Sequence, residues 1–216
     1  MIIAIDGTLA SGKGTLARRI GAIYGLAHLD TGRLYRATGV AALRAGTDFE
    51  DSVALAVLAR SLDSECFEEL ELRSAEAGQA ASKVAAVPEV RAALLAFQRD
   101  FAAQPGGAVL DGRDIGTVIC PDADVKLWID ASIEERARRR HAELLAKGEV
   151  LSFDQMMDEV RIRDARDAGR ADAPMQRAPD AHLIDTTELS IDTAVDRACE
   201  IIDRTVPREN SAASRA

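Results

Sequence analysis

Short apolar runs alternate along this chain with longer stretches in which apolar residues recur every three or four positions. The short runs have the length of strands, and most are apolar on both faces, which is typical of strands buried inside a parallel sheet. Strands that alternate with helices predict an α/β fold with a five-stranded parallel sheet and helices on both faces. The predicted strands are residues 2–5, 26–30, 108–111, 125–129 and 182–185.

The stretches between the strands have the periodicity of amphipathic helices. A short helix is predicted within residues 47–62, with Asp48 or Asp51 near its start, and another helix begins at Pro88. In the helix that begins at Pro88, four apolar residues form one narrow stripe that we expect to be buried. These are Val90, Leu94, Phe97 and Phe101. Further helices are predicted after residues 12, 31 and 190 and at 132–147 and 152–168, and residues 169–181 are predicted to form a loop.

The overall composition is that of a single domain with a well-formed core. The 216 residues are 47% hydrophobic, and a chain of this size buries about 70% of its unfolded surface. A net charge of −9 and a pI near 4.9 argue against a general nucleic-acid or membrane-surface binder. Three scattered cysteines, with neither a signal segment nor a long apolar run, are typical of a cytoplasmic protein.

The first predicted strand ends in the glycine-rich segment 7–15, and a helix is predicted directly after it. Strand, glycine loop, lysine and helix are the context of a phosphate-binding loop. Gly7 and Gly12 let the chain turn, so that backbone N–H groups and the positive end of the helix dipole face an anion. Lys13 adds a mobile cation for the outer phosphates. A glycine-rich turn without a ligand is the alternative, but the spacing, the lysine and the flanking elements together favour a phosphate site.

Position 14 departs from the commonest form of this loop. There, a Ser or Thr follows the lysine and places its hydroxyl on Mg²⁺, whereas here Gly14 follows Lys13 and Thr15 comes one position later. A Gly-Lys-Gly-Thr loop resembles that of the nucleoside monophosphate kinases, which implies that phosphates and water hold most of the metal.

Residues 30–36 follow the second predicted strand. An arginine one helical turn beyond a strand end faces the crevice of an open sheet, where Arg36 could clamp a second anion. For Arg36 alone, a solvated arginine on a surface helix is the simpler interpretation.

The segment Asp111-Gly-Arg-Asp-Ile-Gly-Thr117 follows the third predicted strand. An aspartate at the end of a core strand is costly to bury without a partner. Beside a phosphate loop, Mg²⁺ reached through water is a natural partner for Asp111. Arg113 and Asp114 then project beyond the strand. A tight Asp-Gly turn with a local ion pair is the alternative.

The third polar cluster lies on the helix that ends near residue 168. Its charged side chains fall within about a third of the helix circumference. Three guanidinium groups on one face repel each other unless they share an anion, although pairing of Arg163 with Asp167 on an exposed face is an alternative. Beside a phosphate loop, a cluster that closes over a transferred phosphoryl group is favoured. The cluster consists of Arg163, Arg166, Asp167 and Arg170.

Together, these segments resemble the bacterial cytidylate kinases over roughly residues 2–204. Many families share the phosphate loop, whereas the Asp-Gly-Arg-Asp segment and the third cluster are more specific. The resemblance implies a P-loop nucleoside monophosphate kinase fold and transfer of the γ-phosphoryl group of ATP to CMP or dCMP, with Mg²⁺. The matching segments are 5–7, 11–15, 29–36, 80–86, 90–95, 110–117, 163–170 and 173–174.

The resemblance also implies a role for each candidate residue. The loop residues would bind ATP, a second set would bind the acceptor, and four cations would be catalytic. The loop set is Gly7, Thr8, Leu9, Ala10, Ser11, Gly12, Lys13, Gly14 and Thr15. The acceptor set is Asp30, Thr31, Arg36, Ser82, Arg91, Arg113, Asp114, Arg163, Asp167 and Arg170. The catalytic cations are Lys13, Arg113, Arg166 and Arg170.

Within the acceptor set, the resemblance implies that Ser82, Arg91 and Asp114 read the base. A carboxylate that accepts from the N4 amino group of cytosine is the natural complement of that base. Uracil would place a carbonyl against Asp114, and such mispairing supports discrimination on the order of 10⁴ or more. Thr31, Arg36 and Arg113 would hold the acceptor phosphate, and Arg163 and Asp167 the ribose.

The same resemblance implies the organisation of the chain. Residues 1–206 would form one kinase domain, which we expect to be monomeric. An acceptor-binding region would span about 31–104, a helical lid about 150–180 with Gly169 as its hinge, and 207–216 would be a disordered tail. Long family members carry a β-rich insertion where residues 63–74 are short and acidic, so a short acceptor-binding insert is expected here.

Two other functions are compatible with the phosphate loop. One is another small-molecule kinase of the same fold, acting on UMP, AMP or shikimate, which Ser82, Arg91 and Asp114 would distinguish. The other is an ATP-binding switch that hydrolyses slowly, for which the sequence offers no clear water-positioning residue.

Overall fold

The computed structural model describes residues 1–63 and 67–206, and it joins five strands of these residues in one parallel sheet. The strand order is β2-β3-β1-β4-β5, so the first strand lies at the centre. All carboxyl ends therefore meet at one edge of the sheet, and the predicted α/β fold is confirmed. The strands are β1 (Ile2–Gly7), β2 (Ala27–Asp30), β3 (Ala108–Gly112), β4 (Val125–Asp130) and β5 (His182–Asp185).

Helices connect consecutive strands and cover the sheet. A succession of helices joins β2 to β3, and a helical hairpin followed by an extended connection joins β4 to β5. A π-helical turn, Ile115–Ile119, follows β3. The helices are α1 (Lys13–Tyr24), α2 (Thr31–Ala45), α3 (Ser52–Arg60), α4 (Glu69–Leu72), α5 (Ala75–Val84), α6 (Pro88–Ala102), α7 (Ile133–Leu145), α8 (Phe153–Ala168) and α9 (Ile191–Thr205).

The central strand contributes to a different core on each face. Ile3 and Ile5 pack in the cluster that includes residues of α1 and α9. Ala4 lies in the cluster on the other face, together with Leu110 of β3 and Ile115 of the π-helical turn. Because successive side chains of a strand point to opposite faces, this arrangement explains why the strand is apolar throughout.

Two helical units carry cores of their own beside the sheet. In the first unit, α2, α3, α5 and α6 pack around buried residues that include Leu55 and Leu94. In the second unit, the α7–α8 hairpin packs around Leu144 and Met156, with Leu9 of the phosphate loop against it. The open edge of the sheet therefore lies between two helical walls, which is where ligands bind in such folds.

Side-chain caps determine where several helices begin. The Asp51 side chain accepts a hydrogen bond from the Ala54 N–H at 3.0 Å, and it therefore caps α3. Ser152 and Gln155 form a capping box at the start of α8. Such caps satisfy N–H groups that have no partner inside the helix, so of the two candidates named for α3 the structure selects Asp51.

The buried stripe predicted for α6 is wrong at Phe97, which is 51% exposed. The inner row follows a spacing of four residues through Leu94, Gln98 and Ala102, all of them buried. Gln98 is only 1% exposed, and its amide donates to the Leu94 carbonyl at 3.1 Å. A hydrophobic pattern misses this row because one of its members is polar.

The first strand extends beyond its predicted end, through Asp6 to Gly7. Asp6 is buried, and its carboxylate accepts the N–H groups of Ile115 and Gly116, each at 2.8 Å. Burial raises the pKa of Asp6 to about 7 despite these bonds. The acid thus ties the centre of the sheet to the turn that follows β3.

Two sequence predictions concern the C-terminal tail and possible membrane-spanning helices. The predicted tail, 207–216, lies outside the described residues, as does Cys66. Within the part of the chain that the structure describes, no helix is both long and apolar enough to span a membrane.

Candidate active site at the carboxyl edge of the sheet

A cleft of about 430 Å³ opens at the carboxyl edge of the sheet and contains most of the predicted site residues. It extends from the phosphate loop to the wall formed by α2, α5 and α6, with α8 along one side. The predicted residues that line it are Leu9, Ala10, Gly12, Lys13, Gly14, Thr15, Asp30, Thr31, Arg36, Ser82, Arg91, Asp111, Arg113, Asp114, Arg163, Asp167 and Arg170.

Four predicted residues do not line this cleft. Gly7 and Thr8, the first two residues of the loop, are buried, and Ser11 lines a neighbouring cavity of about 230 Å³. Arg166 lines a cavity of about 310 Å³ between α5, α7 and α8. The predicted face of three arginines is therefore divided, with Arg163 and Arg170 in the cleft and Arg166 beside it.

The phosphate loop has a backbone that only small residues permit. At Gly7 a Cβ atom would lie 1.9 Å from the carbonyl oxygen of Ile129, which no side chain tolerates. Gly12 has φ 89° and precedes α1 without a side-chain cap, so the first N–H groups of that helix have no side-chain acceptor there. Ala10 also has a left-handed φ of 58°. These N–H groups and the helix dipole together form an anion-binding cradle.

Lys13 lies in this cradle, where Asp111 and Asp30 favour its charged form and Arg113 opposes it. Its Nζ donates to the Thr8 carbonyl oxygen at 3.2 Å. Burial, and then the nearby positive charge of Arg113, lower the pKa of Lys13 from 10.5 to about 7. A polyanion in the cradle would restore the favourable environment that the ammonium group lacks.

Buried hydrogen bonds fix the loop against β4 and α7. Thr8 donates its hydroxyl to Asp130 at 2.7 Å, and the Ser11 hydroxyl donates to the Thr8 carbonyl oxygen at 3.0 Å. Arg136, only 3% exposed, donates to the Leu9 carbonyl oxygen at 3.3 Å. Sequence reasoning missed Asp130 and Arg136, and an arginine-rich helix was the only available signal for the second.

At the start of α2, one carboxylate caps the helix and orients an arginine. Asp30 accepts the Arg33 N–H at 3.1 Å and pairs with the Arg36 guanidinium at 2.7 Å. Burial opposes ionisation, but Arg36 holds the pKa of Asp30 below its ordinary value. Thr31 donates its hydroxyl to the backbone carbonyl oxygen of Asp111 at 2.7 Å. Arg36 thus faces the cleft as predicted, and Asp30 is its support.

Asp111 has a protein partner that the sequence did not reveal. One of its carboxylate oxygens lies 2.8 Å from Nε2 of His28 on β2. The other faces the phosphate loop, because a Cβ atom at Gly14 would be 3.6 Å from it. Among the described residues, no group of three or more His, Cys, Asp or Glu side chains could hold a metal by itself. A single carboxylate beside a phosphate site suits Mg²⁺, which keeps several waters and binds mainly to substrate phosphates.

Arg91 and Asp114 form a buried ion pair at the end of the cleft away from the phosphate loop. Each is 5% exposed, and Nη2 of Arg91 donates to the Asp114 carboxylate. The guanidinium group lies over the Tyr35 ring, 5.8 Å from its centroid. Burial raises the pKa of Asp114, and Arg91 opposes that change. The pair places a carboxylate and several N–H donors side by side.

Asp167 joins α8 to α5 and to the turn after β3. It is 1% exposed and accepts from Arg113 Nε at 3.0 Å, from the Ser82 hydroxyl at 3.3 Å and from Arg170. Burial opposes its charge, but Arg113 and Arg170 hold the pKa of Asp167 below its ordinary value. The exposed pairing considered for Arg163 is replaced by this buried cluster, since Arg163 Nε is 4.0 Å away.

Arg163 itself contacts α5, where its Nη1 donates to the Gly78 carbonyl oxygen at 2.9 Å. Burial, and then the positive charge of Arg113, lower the pKa of Arg163 to about 9. Its Nε is buried and has no hydrogen-bond partner. An anionic or hydroxyl-rich ligand at this point would satisfy it.

The cavity beside the phosphate loop was not predicted. Arg139 donates from Nη2 to the Thr186 carbonyl oxygen at 2.7 Å, and the Thr186 hydroxyl donates to the Ser11 carbonyl oxygen at 2.9 Å. Leu189 and Ile191 provide apolar lining. A flat heteroaromatic group attached to a phosphate chain in the loop would reach this cavity.

Comparisons with known proteins give one consistent family. A family model described as cytidylate kinase matches residues 3–204. The chain is 55% identical over 203 residues to a cytidylate kinase of Methylocella silvestris, covering 94% of both chains. It is 58% identical over 201 residues to a cytidylate kinase of Cereibacter sphaeroides, covering 93% of this chain and 94% of the relative. A cytidylate kinase of Caulobacter vibrioides is 50% identical over 202 residues, or 94% of this chain and 95% of that one.

A solved structure, of an uncharacterized protein from Eubacterium ventriosum, superimposes with a TM-score of 0.55 at 14% identity. The match covers 94% of this chain and 98% of that chain. At this identity the similarity concerns the fold alone.

Proposed function

The chain belongs to the cytidylate kinase family, and from that membership we propose how its residues transfer a phosphoryl group from ATP to CMP or dCMP. Phosphorylation of CMP or dCMP is the reaction of this family, and ATP is the phosphoryl donor. The observation that carries the assignment of residues is that one cleft contains both Lys13 of the anion cradle and the buried Arg91–Asp114 pair. A triphosphate at one end and a pyrimidine at the other would fill it.

The donor end would bind the triphosphate through the backbone of residues 7–15. N–H groups at the start of α1 receive the phosphate oxygens, and Lys13 reaches the transferred group. The cavity lined by Arg139 and Thr186 would take the adenine, because it adjoins Ser11 and Thr15 of the loop.

The acceptor end would hold the nucleotide by three groups of side chains, one each for its phosphate, its ribose and its base. Arg36, oriented by Asp30, would hold the phosphate together with Arg113 and Thr31. Both arginines present N–H forks that match phosphate oxygens. Their partner carboxylates keep them aimed before substrate arrives.

The ribose would lie against the lid helix. Ser82, Arg163 and Asp167 meet where α5 and α8 approach each other. Hydroxyl groups of a sugar can both donate to Asp167 and accept from the unpartnered Arg163 Nε. Nucleotide binding would therefore draw the proposed lid, residues 150–180, against the acceptor region, residues 31–104.

The base would be read by Asp114 and Arg91, with Ser82 as the third base-reading residue. Asp114 accepts from the N4 amino group of cytosine, and Arg91 donates to the ring acceptors. Uracil presents a carbonyl and an N–H at the same positions, so it would leave both protein groups mispaired in a buried site.

No nucleophilic side chain is required for the transfer. An oxygen of the acceptor phosphate attacks the γ-phosphorus in line while the bond to the departing ADP oxygen breaks. Lys13, Arg113 and Arg170 neutralise the charge that the two anions bring together. We place Arg166 in the same role, from the neighbouring cavity. Asp111, held by His28, would contact the hydrated Mg²⁺, which supplies further charge neutralisation on the phosphates.

We also propose that the chain acts as a monomer. Its net charge of −9 disfavours nucleic acid as a partner. The three scattered cysteines are the basis for expecting the cytoplasm.

A coupled ADP-release assay with CMP, dCMP, UMP, AMP and no acceptor tests the assignment of the base-reading residues. We expect release with CMP and dCMP well above release with UMP or AMP. A preference for AMP or UMP would contradict the roles of Asp114 and Arg91. Release that does not depend on any acceptor would instead indicate an ATP-binding switch.

A further inference from the structure

The guanidinium group of Arg91 lines the cleft and has protein contacts at Nη1, Nη2 and Nε and on one face of its plane. Nη2 donates to Asp114, Nη1 lies 3.5 Å from the Ala85 carbonyl oxygen, and the plane lies over Tyr35. The remaining edge, at Nε, faces the carboxylate of Asp172 at 3.6 Å. Arg91 therefore has two acidic partners, one on each side.

The two acids belong to different parts of the molecule. Asp114 follows β3, and its side chain is 7% exposed. Asp172 lies on the connection between α8 and β5, residues 169–181, and its side chain is 54% exposed. That connection is attached to the lid helix by the Met175 N–H, which donates to the Asp167 carbonyl oxygen at 2.8 Å. Through its contact with Arg91, Asp172 thus links the position of residues 169–181 to the acceptor-binding end of the cleft.

We propose that Asp172 is a positioning residue for acceptor recognition, which holds the Nε edge of Arg91 and links base reading to the placement of the lid connection. The inference rests on the proposed role of Arg91 in reading the base. The contacts of Nη2 with Asp114 and of Nη1 with the Ala85 carbonyl oxygen hold one end of the guanidinium group, and the ion pair at Nε opposes rotation of its plane about that end. The N–H groups of Nη1 then keep one orientation.

The charges favour the same arrangement. Asp172 and Asp114 place two carboxylates at this end of the cleft, where Arg91 and Arg170 supply the positive charges. Removing the charge of Asp172 makes the site less favourable for an exocyclic amino group and less unfavourable for a carbonyl oxygen. Asp172 therefore adds to the preference for cytosine over uracil, and its removal should weaken acceptor binding.

Asp180 provides a matched control on the same connection. Its side chain is 63% exposed and pairs with Lys126 at 2.8 Å, away from Arg91. Replacing either acid by its amide removes one negative charge from residues 169–181. Only Asp172→Asn removes a charge that faces Arg91.

The test compares steady-state kinetics of Asp172→Asn, Asp172→Glu and Asp180→Asn with the unmodified protein. For Asp172→Asn we expect the KM for CMP to rise about two- to fivefold, the range for a partly exposed ion pair. The KM for ATP and kcat should stay within about twofold, and the CMP-to-UMP preference should fall by a similar factor. Asp172→Glu should recover much of the affinity, and Asp180→Asn should change none of these values. Thermal melting and the fluorescence of Trp128, which packs against Ala178 of the connection, verify the fold.

Arg91→Ala separates failure of this inference from failure of the proposed function. If Arg91→Ala leaves the KM for CMP unchanged, the base-reading assignment itself is wrong. If Arg91→Ala raises it but Asp172→Asn behaves as Asp180→Asn does, only the role of Asp172 is overturned. A lower KM for CMP in Asp172→Asn would also overturn it, because the acid would then compete with the base. In the Arg91→Ala background, Asp172→Asn should have no further effect, since the coupling passes through Arg91.

Discussion

The two ends of the cleft, which we propose bind the donor and the acceptor, are built in different ways. At the donor end, residues 7–15 are consecutive, and backbone N–H groups at the start of α1 form most of the cradle. At the acceptor end, the groups are side chains from α2, α5, α6, α8 and the turn after β3. Backbone groups are common to all residues and read charge, whereas side chains can be chosen to read a base. Under the proposed function, a backbone cradle would suit the phosphates of ATP, and the side-chain end would supply the specificity for the acceptor.

The largest effect should come from Lys13, the one charged side chain within the donor cradle itself. Lys13→Ala should lower kcat by about 10³-fold, because the transferred group loses a buried cation. The fold should persist, since Nζ makes a single bond to a loop carbonyl oxygen. Arg19→Ala, on the same helix but 41% exposed, is the control and should retain activity. Turnover of Lys13→Ala within tenfold of the unmodified protein would refute its role. Coupled kinetics and a melting curve measure both quantities.

At the acceptor end, the corresponding change should alter specificity more than turnover. Asp114→Asn should reduce the ratio of kcat/KM for CMP to that for UMP by about 10²-fold, because an amide can donate to O4 of uracil. Asp122→Asn, exposed in the turn before β4, is the matched control. An unchanged ratio would place base reading elsewhere in the cleft.

A pH series should change the affinity for ATP at the donor end, where Lys13 titrates. Burial lowers the pKa of Lys13 to about 7, so the unliganded protein loses this proton above that pH. Binding of ATP must then take up a proton, and affinity should fall as the pH rises from 7.5 to 9, by at most about tenfold per pH unit. This range lies above the titration of phosphate groups, whose second pKa is about 6.

Isothermal titration in two buffers of different ionisation enthalpy measures the proton uptake. Lys13→Arg should bind ATP with a much smaller slope, since the ordinary pKa of a guanidinium group lies well above that of an ammonium group. Affinity for ATP that rises with pH would contradict the expected uptake of a proton by Lys13.

The smallest effects should come from removing one hydroxyl at each end. Thr8→Val loses a hydrogen bond to Asp130 beneath the loop, and the KM for ATP should change less than about twofold because the cradle is backbone. Ser82→Ala loses a hydroxyl that faces the ligand and Asp167, and the KM for CMP should rise about threefold to tenfold. If Thr8→Val raised the KM for ATP as much as Ser82→Ala raises the KM for CMP, the contrast between a backbone site and a side-chain site would be contradicted.

How far the site could be predicted follows from the same division. The strand, glycine loop and helix at residues 2–24 could be predicted, because the loop geometry depends on local glycine positions such as Gly7 and Gly12. The partners of Asp111 and Asp167 were not, since His28 and Arg113 lie far from them in sequence. One signal was available and unused, namely Asp6, a charged residue directly before the loop in an otherwise apolar strand. Arg136 had no comparable signal within its arginine-rich helix.

The sequence by itself determined the alternation of strand and helix, the parallel sheet, the loop at the end of β1 and the family. These depend on periodicity, on steric limits of single residues and on motifs that are short in sequence. Only the tertiary structure decided which carboxylate supports which arginine: Asp30 with Arg36, Asp114 with Arg91, and Asp167 with Arg113. Such pairing depends on distances between separate elements, and opposite charges are so numerous along this chain that no local pattern selects among the possible partners.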